Sequence, residues 1–252
     1  MSKIEWTEKT VNSIVGCTKC SPGCEHCYAE RMACRLAGIE STKHIYGPVI
    51  TNGRWNGRVV CNGRPLIEMV KRKKPTVIFH NSMGDTFHEK AEWDIIKAIF
   101  MYIEQSPQHT HLILTKRINN ALRDSRRFDW ERYSKHFWLG VTVCNQDELW
   151  KLDILREIPA KKKFVSFEPL LTFVKPDLTG IDWVIVGGES GPGARPMLPY
   201  WVRSIRDQCI DAGVPFFFKQ WGGVRKKENG RGLDGRIWNQ TPKIKSRIQY
   251  DK

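Results

Sequence analysis

No run of about 18 uninterrupted apolar residues occurs in the 252-residue sequence, so no membrane-crossing helix is expected. The opening Met1-Ser2-Lys3-Ile4-Glu5-Trp6 lacks the apolar stretch of a secretory signal, and a cytoplasmic location is expected. Acidic residues are few beside basic ones, 27 against 41, leaving a formal charge of +14. That imbalance points to an anionic partner, and nucleic acid is the commonest large polyanion in the cytoplasm. Internal repeats and low-complexity tracts are absent, which argues against a solenoid or a disordered chain. A second, distant C-x2-C pair is also missing, so a zinc site built from two separated knuckles is not available.

Eight cysteines are present, and four of them fall between residues 17 and 27. A chain this long needs no disulfide staples in a reducing compartment, so a bound metal is the better explanation of that cluster. The scattered Cys34, Cys61, Cys144 and Cys209 are expected as small core or surface residues. With 40% hydrophobic residues and 10 Trp, the chain supports one sizeable core and a single domain over residues 1–252. Basic runs at Lys71-Arg72-Lys73-Lys74, Arg123 to Arg132, Lys161-Lys162-Lys163 and a C-terminal extension from Arg225 to Lys252 read either as solvated faces or as phosphate contacts.

Short β-branched runs alternate with longer helix-compatible stretches, the pattern of βαβ units on a parallel sheet. Strands are predicted at Val11–Val15, Thr76–His80, His111–Thr115, Phe137–Val143, Lys163–Phe167 and Trp183–Val186, with Val214–Lys219 as a seventh or edge strand. Helices are predicted at Ala29–Ala37, Trp93–Glu104, Gln146–Glu157 and Pro199–Ala212, the last stopped by Gly213. The fold class is therefore α/β, a partial (β/α) barrel of six or seven mainly parallel strands. The Gly- and Asn-rich segment 39–65 has no clear period and is expected to cover the barrel mouth.

Polar residues gather just after the strands: Asn81, Ser82 and Asp85, then Lys116-Arg117, Asn145, Ser166 to Pro169, and Gly187 to Ser190. In barrels the C-terminal strand ends form the face that carries chemistry. Within Gly16-Cys17-Thr18-Lys19-Cys20-Ser21-Pro22-Gly23-Cys24-Glu25-His26-Cys27-Tyr28, the cysteines Cys20, Cys24 and Cys27 stand at C-x3-C-x2-C. Three thiolates so spaced wrap one corner of a 4Fe-4S cluster and leave its fourth iron open. The alternative is a structural zinc knuckle from the pairs Cys17/Cys20 and Cys24/Cys27 with His26, in a nucleic-acid-binding protein without catalytic activity.

This spacing, after a first strand and before a helix, resembles the radical S-adenosylmethionine superfamily, and Cys27-Tyr28 is similar to the cluster loop of spore photoproduct lyase. A wider resemblance runs through Ile4-Glu5-Trp6-Thr7, Gly16 to Glu30, Leu114 to Arg117, Trp138 to Val141, Ser166 to Leu171, Trp183 to Pro196 and Phe217 to Gly222. These segments look like the phage-encoded three-cysteine-motif family, whose cysteines match Cys17, Cys24 and Cys27. Superfamily spacing favours Cys20 as the third ligand, whereas this family favours Cys17. The resemblance implies a TIM-like barrel of the radical type, a 4Fe-4S cluster and S-adenosylmethionine as cofactors, and a 5′-deoxyadenosyl radical. It also implies DNA as partner in the host cytoplasm, with isomerisation in thymidine hypermodification, such as a glycinyl-thymidine rearrangement, as the reaction; RNA or a small molecule stays open.

The candidate metal ligands are thus Cys17, Cys20, Cys24 and Cys27. Candidates for holding S-adenosylmethionine are Tyr28, Asn81, Ser82, Arg117, Ser166, Gly187, Gly188, Glu189 and Ser190. Arg117 suits a carboxylate because its planar fork binds in bidentate fashion, and phosphate is the alternative. Gly187-Gly188-Glu189 reads either as a ligand-approach turn or as a tight structural one. Glu168, Asp85 and Lys116 are the catalytic candidates. Phe216 to Trp221 reads as a buried strand or as a base-stacking element.

Overall fold

Strands buried on both faces read as near-continuous apolar runs, and here such runs form one parallel sheet. A computed structural model describes residues 4–127 and 129–243. Seven strands lie side by side in chain order: β1 (Lys9–Val11), β2 (Val77–His80), β3 (Thr110–Thr115), β4 (Phe137–Thr142), β5 (Lys162–Phe167), β6 (Trp183–Gly187) and β7 (Phe216–Gln220). Every neighbouring pair is parallel. The architecture is a mixed α/β fold with the curved parallel sheet of a partial barrel.

The predicted first strand divides. Lys9–Val11 joins the sheet, whereas Ile14–Val15 leaves it to pair antiparallel with Val60–Cys61. Asn81 causes the break: at φ +59° its side-chain oxygen accepts from the Ser13 and Ile14 amides and the Ser13 hydroxyl. Those amides are satisfied away from the ladder, so the chain turns there.

Helices α1 (Tyr28–Ala37), α2 (Glu40–Tyr46) and α3 (Arg64–Lys71) lie between β1 and β2, and α4 (Trp93–Glu104) between β2 and β3. After them come α5 (Ile118–Ser125) and α6 (Trp130–Ser134), then α7 (Trp150–Glu157) and α8 (Pro199–Asp211). Gly213 follows α8 at φ +66° and ends it. Among the described residues no helix connects β5 to β6. That crossover instead buries Leu170, Val174, Leu178 and Ile181 directly against the core. The segment 39–65 packs its Tyr46 and Val49 on α1 through Ala29 and Ala33, and Arg58 brings its carbonyl against Gly16 beside the cysteines.

The core has two sides. Ile78, Ile113, Leu139, Val165, Val186 and Phe218 face the helices. Val77, Phe79, Leu112, Phe164, Trp183, Ile185 and Phe217 face the concave side, where Trp6 closes the N-terminal end with its ring 4.7 Å from that of Phe79. Beyond β7, the 238–240 segment hydrogen-bonds to Phe216 and Phe218, covering that edge of the sheet. Several basic runs are spent on outer ion pairs: Arg123 and Arg127 on Asp124, Arg132 on Glu104, and Lys162 on Asp182. Residues 244–252 of the basic C-terminal run lie outside the described residues.

Candidate functional site

Side chains alternate across a strand, so the residues one step beyond the concave apolar layer form the floor of the mouth. By this alternation Lys116, Thr142, Ser166, Gly187 and Lys219 crown that face, with Glu168 just past the end of β5. The cysteine loop joins Ile14–Val15 to α1 at the same end of the sheet.

Two arginines fix the loop. Arg117 is buried, and all five of its N–H donors are engaged. Nη2 donates to the Thr18 carbonyl (2.9 Å) and hydroxyl (2.6 Å), Nε to Glu89 (2.7 Å), and Nη1 to Asp85 (3.4 Å) and to Cys17 Sγ (3.6 Å). On the other flank Arg195 donates to the Pro22 carbonyl and to Glu25, both at 2.9 Å, while Glu189 grips it in bidentate fashion. The predicted ligand residues Arg117 and Glu189 therefore act here as loop anchors. Asp85 is also a hub, accepting from the Thr115 hydroxyl and the Phe87 and Lys116 amides, besides Arg117.

The four loop cysteines are not equivalent. Burial, helped by the Asp85 charge, pushes the Cys17 thiol up to about 12 despite Arg117, and its S–H donates to the Thr18 carbonyl. Cys24 is held well below the ordinary cysteine range by the hydrogen bond from Cys20, against the opposing effect of burial and with help from Lys116. Lys116 is half-buried. Burial works against its ammonium, yet the sulfurs of Cys144, Cys24, Cys27 and Cys20 outweigh that and raise it.

Cys144, expected as an ordinary core residue, is fully buried but lies at the loop, with its Sγ 3.7 Å from the Ser21 hydroxyl. Gly23 is required there, because a Cβ on it would stand 2.3 Å from that sulfur. Among the described residues no three His, Cys, Asp or Glu side chains stand close enough to grip one metal ion. The fit to an iron–sulfur centre therefore lies in the donor set, four soft thiols on one loop.

The remaining candidates divide. Asn81 is a turn-former whose amide also donates to Thr86. Ser82 bonds Asn12, and its carbonyl accepts from the Tyr28 hydroxyl at 3.1 Å, although the Tyr28 side chain is half-exposed. Gly188 is packed tightly, with the Trp221 carbonyl 2.0 Å from any added Cβ, and Ser190 accepts from Gln220. Gly187-Gly188-Glu189-Ser190 is thus a backbone-to-backbone turn locked to 220–223. Ser166 is fully buried with an unpartnered hydroxyl, and Glu168 is paired with Lys219. His80, His109 and His111 form a buried group with Ser106 and Met69, a core role.

A family model matches residues 1–242 of the chain. The chain belongs to the family described as Protein of unknown function (DUF5131). No curated protein and no solved structure matches it. In this DUF5131 chain, sequence reasoning missed Lys219, Arg195 and Cys144 as parts of the site. Lys219 carried a usable signal, since it is the one cation in the apolar run Phe216-Phe217-Phe218 and has the parity of Phe217.

Glu89 gives the site an acid-sensitive contact. Burial would raise its carboxyl, but its own amide, the Thr18 hydroxyl and Arg117 hold it at about 2. A carboxylate depressed from 4.5 to about 2 stabilises the fold above pH 4.5, and loses that contribution as pH falls toward 2. Because Glu89 is half-exposed, solvent screening keeps the effect at about 1 kcal/mol or less. Unfolding scans of wild type and Glu89→Gln are expected to differ at neutral pH and to converge between pH 4.5 and 2; a gap that stays constant would count against this account.

Proposed function

We propose that this DUF5131 chain is a radical S-adenosylmethionine enzyme with a barrel of that type, in which Cys20, Cys24 and Cys27 hold a 4Fe-4S cluster. The observation that carries the reading is the loop with four cysteines between residues 17 and 27 at the C-terminal end of a parallel partial barrel. When bound, a cluster with one open iron supplies the electron that cleaves S-adenosylmethionine. The chain's own residues do the rest. Arg117 and Arg195 hold the loop backbone from two sides, at Thr18 and Pro22, so the loop is anchored at the mouth before the cofactor arrives. Lys116 offsets negative charge on the sulfurs, and the aromatic layer of Phe79, Phe164 and Phe217 keeps water from the floor beneath.

The substrate we propose is a base in DNA, with isomerisation of a hypermodified thymidine as the reaction. The basic charge supports a polyanionic substrate, and the motif resemblance supports the reaction. A base in duplex DNA must leave the stack to reach this mouth.

The test is anaerobic reconstitution with iron and sulfide, followed by electron paramagnetic resonance of the reduced protein with and without S-adenosylmethionine. A 4Fe-4S signal that changes on adding the cofactor is expected. A colourless protein that keeps one zinc ion and binds nucleic acid without S-adenosylmethionine would overturn the proposal in favour of a structural knuckle.

A further inference from the structure

Glu168 and Lys219 form an ion pair on the mouth floor, spanning β6 from β5 to β7. Their side chains retain 19% and 11% of their exposure, so both are largely desolvated yet reachable from the mouth. Among the described residues Lys219 Nζ hydrogen-bonds to Glu168 Oε1 alone, which leaves two ammonium protons and the second carboxylate oxygen for a ligand. Beside them Ser166 presents a hydroxyl that is fully buried and without a partner, on the concave face by its alternation with Phe164. Gly187 leaves the space between, the Glu168 carboxyl carbon lying 3.4 Å from where a Cβ would be.

This group has no net charge, so it selects neither an anion nor a cation. It offers a donor beside an acceptor, over the aromatic residues Phe164 and Phe217 of the concave layer. The matching ligand is neutral and planar, with a carbonyl next to an N–H. In a chain of net charge +14, such a head fits best when carried on a polyanion.

We infer that Lys219 and Glu168 read the lactam edge of a nucleobase, Lys219 donating to its carbonyl and Glu168 accepting from its N–H, with Ser166 as a further contact. The inference rests on the reading above that the mouth receives a base, and it supplies the group that recognises that base.

The test uses the full-length protein and a fluorescent single-stranded oligonucleotide with an abasic backbone and one uracil, either unmodified or N3-methylated. The methyl group removes the N–H that Glu168 would accept. Wild type is expected to bind the unmodified oligonucleotide roughly ten- to a hundredfold more tightly than the methylated one, the effect of a hydrogen bond to a charged group. The double variant K219M/E168M removes both charges without leaving either one buried alone, and it is expected to fold and to bind the two oligonucleotides equally. Equal binding by wild type, or discrimination kept by the double variant, would overturn the inference. Equal binding by wild type alongside a cofactor-responsive cluster signal defeats this inference alone, whereas a missing cluster signal defeats the wider reading.

Discussion

Cys24→Ala is expected to take up no iron or sulfide on anaerobic reconstitution, and Cys20→Ala to behave the same way, while Cys17→Ala loads as wild type does. The argument rests on where each sulfur lies. Cys24 is buried, and the Cys20 hydrogen bond, helped by the charge of Lys116, favours its thiolate, the form that binds metal. Cys20, Cys24 and Cys27 stand at the C-x3-C-x2-C spacing that wraps one corner of a cluster. Cys17 is turned aside: its sulfur is engaged by Arg117 Nη1 and the Thr18 carbonyl. Iron and sulfide analysis of the three variants decides the matter. A Cys17→Ala protein without cluster beside a fully loaded Cys20→Ala protein would reverse the assignment and restore the spacing of the three-cysteine-motif family.

How much of this was visible in the sequence depended on the kind of signal. The strands from Val77 to Gln220 were legible because each is buried on both faces, and burial is written as an unbroken β-branched or aromatic run. The break at Asn12-Ser13 was not, because its cause is a side chain 68 residues away, the Asn81 oxygen that takes the Ser13 amide. Helix α3 hides behind the basic run from Lys71, though Leu66 and Met69 have helical spacing and are buried. Helix α5 begins its apolar stripe at Ile118 and Ala121 but was obscured by Arg123 to Arg132, whose charges serve neighbouring carboxylates. The connection from Glu168 to Asp182 carries no period of either kind, since it packs as an irregular segment.

At the site, residue types and their common rim could be read, but partners could not. Glu189 and Arg195 are six residues apart, and nothing in that spacing announces that the pair reaches back to Pro22 and Glu25. Arg117 was selected for its fork geometry. That geometry is used, but on the loop backbone and two carboxylates of the chain itself.

The heaviest structural loss outside the cysteines should therefore come from Arg117→Met. The guanidinium and its partner Asp85 each keep only 7% of their side-chain exposure, so this contact is not screened like a surface pair. Removing one member of a buried pair costs about 3–5 kcal/mol, and the lower end applies because Asp85 keeps the Thr115 hydroxyl and two amides. For a chain of this size about 3 kcal/mol corresponds to a fall in melting temperature of roughly 6–12 °C. Arg117→Lys should recover only part of it, since three donors on a flexible stem cannot serve Thr18, Glu89, Asp85 and Cys17 together. Calorimetric or fluorescence melting of the cluster-free protein measures the effect without reference to any cofactor. A melting temperature within about 2 °C of wild type for Arg117→Met would mean that the loop is held in place without the arginine, and that Arg117 is free to meet a ligand.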